Sequence, residues 1–132
     1  MASIKDLEGL KAKDEAGYPA TMHWRDGAKW LAADGKTPVT FTVYGSEAPT
    51  YIQRRADVYR ELSAAEEKTD SDTLSAFVSA CAIKSWSGIE EPYSMENARA
   101  LMAFEFLRVQ VERRSTKGAD FFAAGSPASV SG

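Results

Sequence analysis

The stretch that decides the fold is residues 82–98, which read AIKSWSGIEEPYSMENA. The apolar period that leads into it is helical and extends to Trp86, so Trp86 is predicted to end a helix. Gly88 follows as a stop signal, because glycine accepts the left-handed conformation that often closes a helix. Pro92 falls in the loop, and Ser94 offers a side-chain oxygen to cap the next helix. The sequence therefore predicts a structural hinge made of Trp86, Gly88, Pro92 and Ser94.

Two helices are predicted before this hinge. Pro49 suits a first helical turn, since its missing N–H would have no partner there, and apolar residues then recur on one side as far as Leu62. Thr69 or Ser71 is expected to cap the second helix. The apolar residues of that helix have i, i+3, i+4, i+7 spacing, which predicts a buried stripe of Leu74, Phe77, Val78 and Cys81.

The helix that Ser94 begins is apolar on two sides, at about 100° per residue. Such a helix is either central to its own domain or half-buried in a partner. The sequence leaves open which face is core and which is interface. One face carries Ala98, Leu101, Met102, Phe106 and Val109, and the other carries Phe104, Leu107 and Val111.

The N-terminal part of the chain predicts a small sheet. Val39, Phe41 and Val43 alternate with polar or aromatic residues, which is the period of a half-buried strand. Glycines at Asp26-Gly27 and Asp34-Gly35 favour tight turns before that strand. Two to four short antiparallel strands are expected, and the strand at residues 39–44 has the strongest pattern.

The predicted fold class is therefore α+β: a small N-terminal antiparallel β-sheet or hairpin followed by a three-helix C-terminal bundle. The 132 residues form a single domain by length, predicted over residues 1–124. Its parts are an N-terminal arm or short helix (1–17), a β region (18–45) and a helical region (46–124). Residues 125–132 are rich in Gly, Ser, Pro and Ala and are expected to be a disordered tail.

The composition offers little material for catalysis. His23 is the only histidine and Cys81 the only cysteine, so a Cys/His zinc site lacks ligands. A catalytic triad would need His23 as its base, and its expected role is a packed or hydrogen-bonded strand residue. No glycine-rich phosphate-binding motif is present. We therefore predict a protein that is not an enzyme, with no catalytic residue, no metal site and no cofactor.

Charge and hydropathy restrict the partners. The formal net charge of -3 does not suit a protein that binds a phosphate backbone, and no apolar run is long enough to span a bilayer. The sequence thus predicts no nucleic acid and no membrane as partners. The basic pairs Arg54-Arg55 and Arg113-Arg114 are interpreted as helix-surface charges, with partner contacts as the alternative. Trp24 and Trp30 flank the Asp26-Gly27 turn, and sequence does not separate core from interface for them.

Residues 82–98 resemble the tail assembly chaperones of long, flexible-tailed bacteriophages. That family often carries a helix ending in Trp-Ser/Asn-Gly, a short polar loop, a Pro-aromatic/aliphatic-Ser/Thr step and a Glu-Asn-Ala helix. The strand-then-helix layout of residues 40–52 is similar too, as is the aromatic pair Phe121-Phe122, whereas the loop 89–91 is shorter than in many relatives. The matching residues are Ile83, Trp86, Ser87, Gly88, Pro92, Tyr93, Ser94, Glu96, Asn97 and Ala98.

The resemblance implies a chaperone that binds the tape measure protein, keeps its long hydrophobic helices soluble and helps recruit tail tube protein subunits. It also implies location in the cytoplasm of the infected bacterial host and absence from the finished virion. Self-association is left open. The apolar spacing places the expected partner-binding surface at Phe104, Leu107, Val111, Phe121 and Phe122.

Two other functions remain as alternatives. One is a structural virion component, such as a head–tail connector or tail-completion protein, whose size would fit and which would also lack catalytic residues. The other is an enzyme with a metal site built from Asp and Glu alone, for which no motif is present.

Overall fold

A computed structural model describes residues 2–65 and 68–118, and within these ranges the chain forms five helices and a three-stranded antiparallel sheet. The strands have the order β1-β2-β3. The α+β class is confirmed, whereas the expected three-helix bundle is wrong. The elements are α1 (Lys5–Ala16), β1 (Tyr18–Thr21), β2 (Thr40–Val43), α2 (Pro49–Ser63), α3 (Ser71–Ala80), β3 (Ile83–Ser87), α4 (Met95–Met102) and α5 (Glu105–Lys117).

The central strand β2 is the one that its alternation predicted. Phe41 and Val43 are fully buried, while Thr40 and Thr42 are partly exposed. This is the result of the strand pleat, which sends successive side chains to opposite faces of the sheet. The turns at the two Asp-Gly pairs are also confirmed, since both glycines have positive φ.

The third strand lies in a part of the chain that was expected to be helical. β3 pairs with β2, and Trp86 lies opposite Phe41. The prediction that Trp86 ends a helix is therefore wrong, and Gly88, with a φ of 90°, follows a strand. A register shift in the β2–β3 ladder lets Ile83 and Trp86 both contact the core. Their spacing of three residues imitates a helical period, which explains the error.

The long helix expected after Ser94 is two helices. Ser94 caps α4 as predicted, because its hydroxyl accepts a hydrogen bond from the N–H three residues on, at 3.0 Å. The chain leaves helical geometry at Phe104, with φ of -87° and ψ of 114°. After this break, Leu107 and Val111 of α5 join the same core as the buried residues of α4. An unbroken helix with two apolar sides would leave one of them facing solvent.

The core lies between the sheet and the three C-terminal helices. α3 buries its small residues Ala76, Ser79 and Ala80, so the predicted stripe of larger residues on that helix is only partly buried apart from Cys81. The cap of α3 is Asp70 rather than Thr69 or Ser71, because its carboxylate accepts a hydrogen bond from the Thr73 N–H at 2.7 Å. The largest fully buried side chains are Phe41, Met22, Ile83, Met102, Val39, Val43, Val111 and Cys81.

The N-terminal segment forms a helix, α1, that polar contacts attach to the rest of the protein. The buried carboxylate of Asp14 accepts hydrogen bonds from the Tyr18 hydroxyl at 2.5 Å and from the Glu47 N–H at 2.9 Å. Burial and the hydrogen bond to Asp14 raise the pKa of the Tyr18 hydroxyl to about 12. The apolar edge of α1 remains exposed along Ile4, Leu7 and Leu10. The tail expected at 125–132 lies outside the described residues.

Candidate functional site

The connection between β1 and β2, residues 22–39, forms two short turns that backbone hydrogen bonds hold in place. The Trp30 N–H donates to the Met22 carbonyl at 3.0 Å, and the Trp24 N–H donates to the Ala28 carbonyl at 2.8 Å. The first of these turns contains Gly27, whose φ of 92° suits glycine. Trp24 therefore sits at the base of a turn with a fixed backbone.

Gln110 of α5 attaches this loop to the helix. Its side-chain oxygen accepts from the His23 N–H at 2.8 Å, and its side-chain nitrogen donates to the His23 carbonyl at 2.9 Å. One amide thus satisfies both backbone groups of His23, as a neighbouring strand would. The same nitrogen donates to the Phe106 carbonyl at 2.8 Å. These bonds fix Trp24, the next residue along the chain, beside α5.

Aromatic rings from the loop and from the start of α5 meet at this point. The Trp24 ring lies 5.8 Å from that of Phe106 in a stacked arrangement and 5.4 Å from that of Trp30. Phe104 contacts Phe106 edge to face, with ring centroids 6.4 Å apart. The Arg25 guanidinium lies 5.6 Å from the Phe106 ring centroid, within the range of a cation–π contact.

The rings of Trp24, Phe104 and Phe106 form one wall of an open cleft of about 780 Å³, which we call the aromatic cleft. The α5 side of the cleft includes Glu105, Val109 and Arg113, which recur every four residues and so extend about 12 Å along the helix axis. Trp24, Phe104 and Val109 are 47%, 54% and 41% exposed. A grouped set of exposed apolar side chains in a concave surface is typical of a binding site.

Phe104 occupies a position that favours a different residue type. It is the N-cap of α5, and no side-chain hydrogen bond caps this helix. Ser, Thr, Asp or Asn at an N-cap typically stabilises a helix by about 1 kcal/mol relative to residues without a side-chain oxygen. A half-exposed phenylalanine here gives up that stabilisation, which favours a role for its ring in binding.

The structure divides the predicted partner-binding residues. Phe104 lies in the aromatic cleft, but Leu107 and Val111 are 3% and 0% exposed and belong to the core. The expectation that Leu107 and Val111 face a partner is therefore wrong, because the break at Phe104 turns their side of α5 inward. Phe121 and Phe122 lie outside the described residues.

The predicted hinge residues form a corner closed by its own hydrogen bonds. The Trp86 indole N–H donates to the Glu91 carbonyl at 3.0 Å, and the Asn97 side chain donates to the Pro92 carbonyl at 2.9 Å. The Trp86 ring packs against Phe41 and Tyr93, at 5.6 and 5.2 Å between centroids. This corner connects β3 to α4 and packs against the core, separate from the aromatic cleft.

Sequence reasoning missed most residues of the cleft. The sequence leaves Trp24 undecided between core and interface, places Val109 on the same helix face as Met102, and gives no signal for Gln110. A tryptophan beside an Asp-Gly turn in a polar loop was the available signal, since a turn of this type lies at the surface. Nothing in the sequence indicates the pairing of Gln110 with His23, which are 87 positions apart.

Across residues 2–65 and 68–118, no three His, Cys, Asp or Glu side chains are grouped so that they could hold a metal ion. In the same part of the chain, no helix combines the length and the apolar character needed to cross a membrane.

Comparison with known proteins gave no family model, no curated protein and no solved structure that matches this chain.

Proposed function

We propose that this protein is a bacteriophage tail assembly chaperone that binds the tape measure protein in the cytoplasm of the infected host and helps recruit tail tube protein. The observation that supports binding is the aromatic cleft, which exposes Trp24, Phe104 and Val109 on one concave surface. The family is suggested by the sequence resemblance of residues 82–98. That resemblance lies in the residues alone, because the segment before Gly88 is a strand in this chain and a helix in the family's pattern.

A helical partner fits the dimensions of this cleft. An amphipathic helix presents apolar anchors at i, i+3, i+4 and i+7, and such anchors dock into apolar grooves on other proteins. The α5 side of the cleft extends about 12 Å, which corresponds to roughly two turns of a partner helix. Covering the exposed apolar rings would remove them from water, and each buried CH₂ equivalent contributes about 0.8 kcal/mol.

The test is co-expression with the tape measure protein, with its soluble fraction as the measurement. The double variant Trp24→Ser/Phe104→Ser should lose the ability to keep the tape measure protein soluble while staying folded itself. Tyr59→Ser is the matched control, because Tyr59 is 49% exposed on α2 and does not line the cleft. Solubilisation by the double variant at the wild-type level would show that the cleft is not the docking surface.

Mass spectrometry of purified particles separates this proposal from its alternative. A chaperone acts during assembly and should be missing from finished virions. Stoichiometric presence of the chain in particles would instead indicate a structural component, such as a head–tail connector or tail-completion protein.

A further inference from the structure

The aromatic cleft carries more positive than negative charge. Arg25 and Arg113 line it, together with a single acidic residue, Glu105. The ion pairs found in residues 2–65 and 68–118 join other residues, namely Arg60 with Asp57 and Arg99 with Glu61. Within that part of the chain, the charges of Arg25 and Arg113 are thus not neutralised by an ion pair.

The two arginines flank the apolar surface. Arg25 lies against Phe106, with its guanidinium 5.6 Å from the ring centroid. Arg113 is seven positions after Phe106 on α5, or about 10 Å along the helix axis. Val109 lies between Phe106 and Arg113 on the same helix. A helix that placed apolar anchors on Val109 and Phe104 would bring its flanking side chains within reach of both guanidinium groups.

We propose that the aromatic cleft binds an amphipathic helix of another protein that carries carboxylates beside its apolar anchors, with Arg25 and Arg113 as the recognising cations. Guanidinium groups suit this role, because their fixed fork of N–H donors matches a carboxylate. The inference rests on the proposed function only in using the cleft as the docking surface. Beyond the proposed function, the inference states that the partner segment carries negative charge.

The net charge of the whole protein favours a partner of the opposite charge to the one inferred here. A net charge of -3 would attract a cationic helix in preference to an anionic one. Preference for an acidic helix therefore has to come from the local charges in the cleft.

Two synthetic 18-residue peptides test the inference. Both carry leucines at the i, i+3, i+4, i+7 positions and a fluorescent label; one has glutamates at the flanking positions and the other has lysines. Fluorescence anisotropy with the whole chain gives both dissociation constants at low ionic strength, where exposed charges are least screened. The glutamate peptide should bind roughly tenfold tighter than the lysine peptide, since each exposed ion pair contributes modestly and each like-charge contact opposes binding.

Charge-reversal variants locate the source of the preference. Arg25→Glu/Arg113→Glu should abolish or reverse it. Lys11→Glu/Lys36→Glu is the matched control, because it changes the net charge equally at two exposed lysines that do not line the cleft. The control should keep the preference for the glutamate peptide. Circular dichroism confirms that both double variants are folded.

Each contrary result has a distinct meaning. Equal binding of the two peptides, or tighter binding of the lysine peptide, would overturn the charge inference and leave the apolar docking surface intact. A preference for glutamate that survives in Arg25→Glu/Arg113→Glu would overturn it as well, since recognition would then lie elsewhere. Failure of both peptides to bind, with the tape measure protein still kept soluble, would refute the cleft as a helix site without refuting the chaperone function.

Discussion

Replacing Leu107 by alanine and Phe104 by serine should affect stability very differently, although the residues are three positions apart. Leu107 is 3% exposed in the core. Its truncation removes three carbon groups at about 0.8 kcal/mol each and leaves a cavity, so we expect a loss of roughly 3–4 kcal/mol in the free energy of unfolding.

Phe104→Ser should change that free energy little. The Phe104 ring is 54% exposed, so burial of its other half contributes about 1 kcal/mol, and its edge-to-face contact with Phe106 adds roughly 0.5–1 kcal/mol. Serine at the N-cap of α5 returns about 1 kcal/mol by accepting a backbone hydrogen bond. The net change should be within about 1 kcal/mol of zero.

Urea unfolding followed by far-ultraviolet circular dichroism measures both changes, and thermal melting checks them independently. A chain of this length shifts its Tm by about 3–5 °C per kcal/mol, so Leu107→Ala should lower the Tm by roughly 10–20 °C and Phe104→Ser by less than about 5 °C. An unchanged slope of unfolding free energy against urea would show that the denatured state is unaffected. A loss for Phe104→Ser as large as that for Leu107→Ala would refute the division of α5 into a core side and an exposed start.

Three further predictions concern other parts of the fold. Gly88→Ala should cost roughly 1–2 kcal/mol in a urea titration, because Gly88 has a φ of 90° and an added Cβ would lie 3.1 Å from the Val39 Cα; a neutral result would contradict this turn geometry. Hydrogen bonds from Thr37 hold the pKa of Asp34 at about 2, below its ordinary 3.8, so its contribution to stability is complete above about pH 4 and is lost as the pH falls toward 2. Asp34→Asn should therefore reduce the loss in the free energy of unfolding as the pH falls from about 4 to 2, measured by urea unfolding. If Asp34→Asn leaves that loss unchanged, this turn is not its source. Burial raises the pKa of the Cys81 thiol to about 11, so iodoacetamide at pH 8 should alkylate Cys81 in urea and not in the folded protein, as mass spectrometry would show; rapid alkylation without urea would contradict the burial.

The features that the sequence predicted well depend on neighbours in the chain. The alternation of β2, the Asp-Gly turns, Pro49 in the first turn of α2 and the Ser94 cap all follow from the geometry of a few consecutive residues. Such local rules need no knowledge of what packs against the segment.

The wrong secondary-structure predictions concern segments whose local sequence is compatible with two structures. Tertiary contacts decide between the two. Ile83 and Trp86 satisfy a helical period, but their segment completes the sheet beside β2, and the register shift reconciles the spacing with a strand. Similarly, the two apolar sides of the segment after Ser94 are compatible with one helix or with a break. Only the position of the core decides in favour of the break at Phe104, since that geometry buries Leu107 and Val111 together with α4.

The aromatic cleft departs from local rules at two positions, and both departures expose apolar surface at the same place. Phe104 stands where a serine or aspartate would stabilise α5, and Trp24 keeps 47% of its surface exposed beside a tight turn. The part-buried side chain of Gln110 makes two hydrogen bonds to the backbone of His23, and these hold the Trp24 ring in place. Each departure lowers stability or leaves it unimproved, and residues that do so tend to mark functional sites when they converge. The convergence on one cleft, rather than any single exposed ring, is therefore the argument that this surface serves binding.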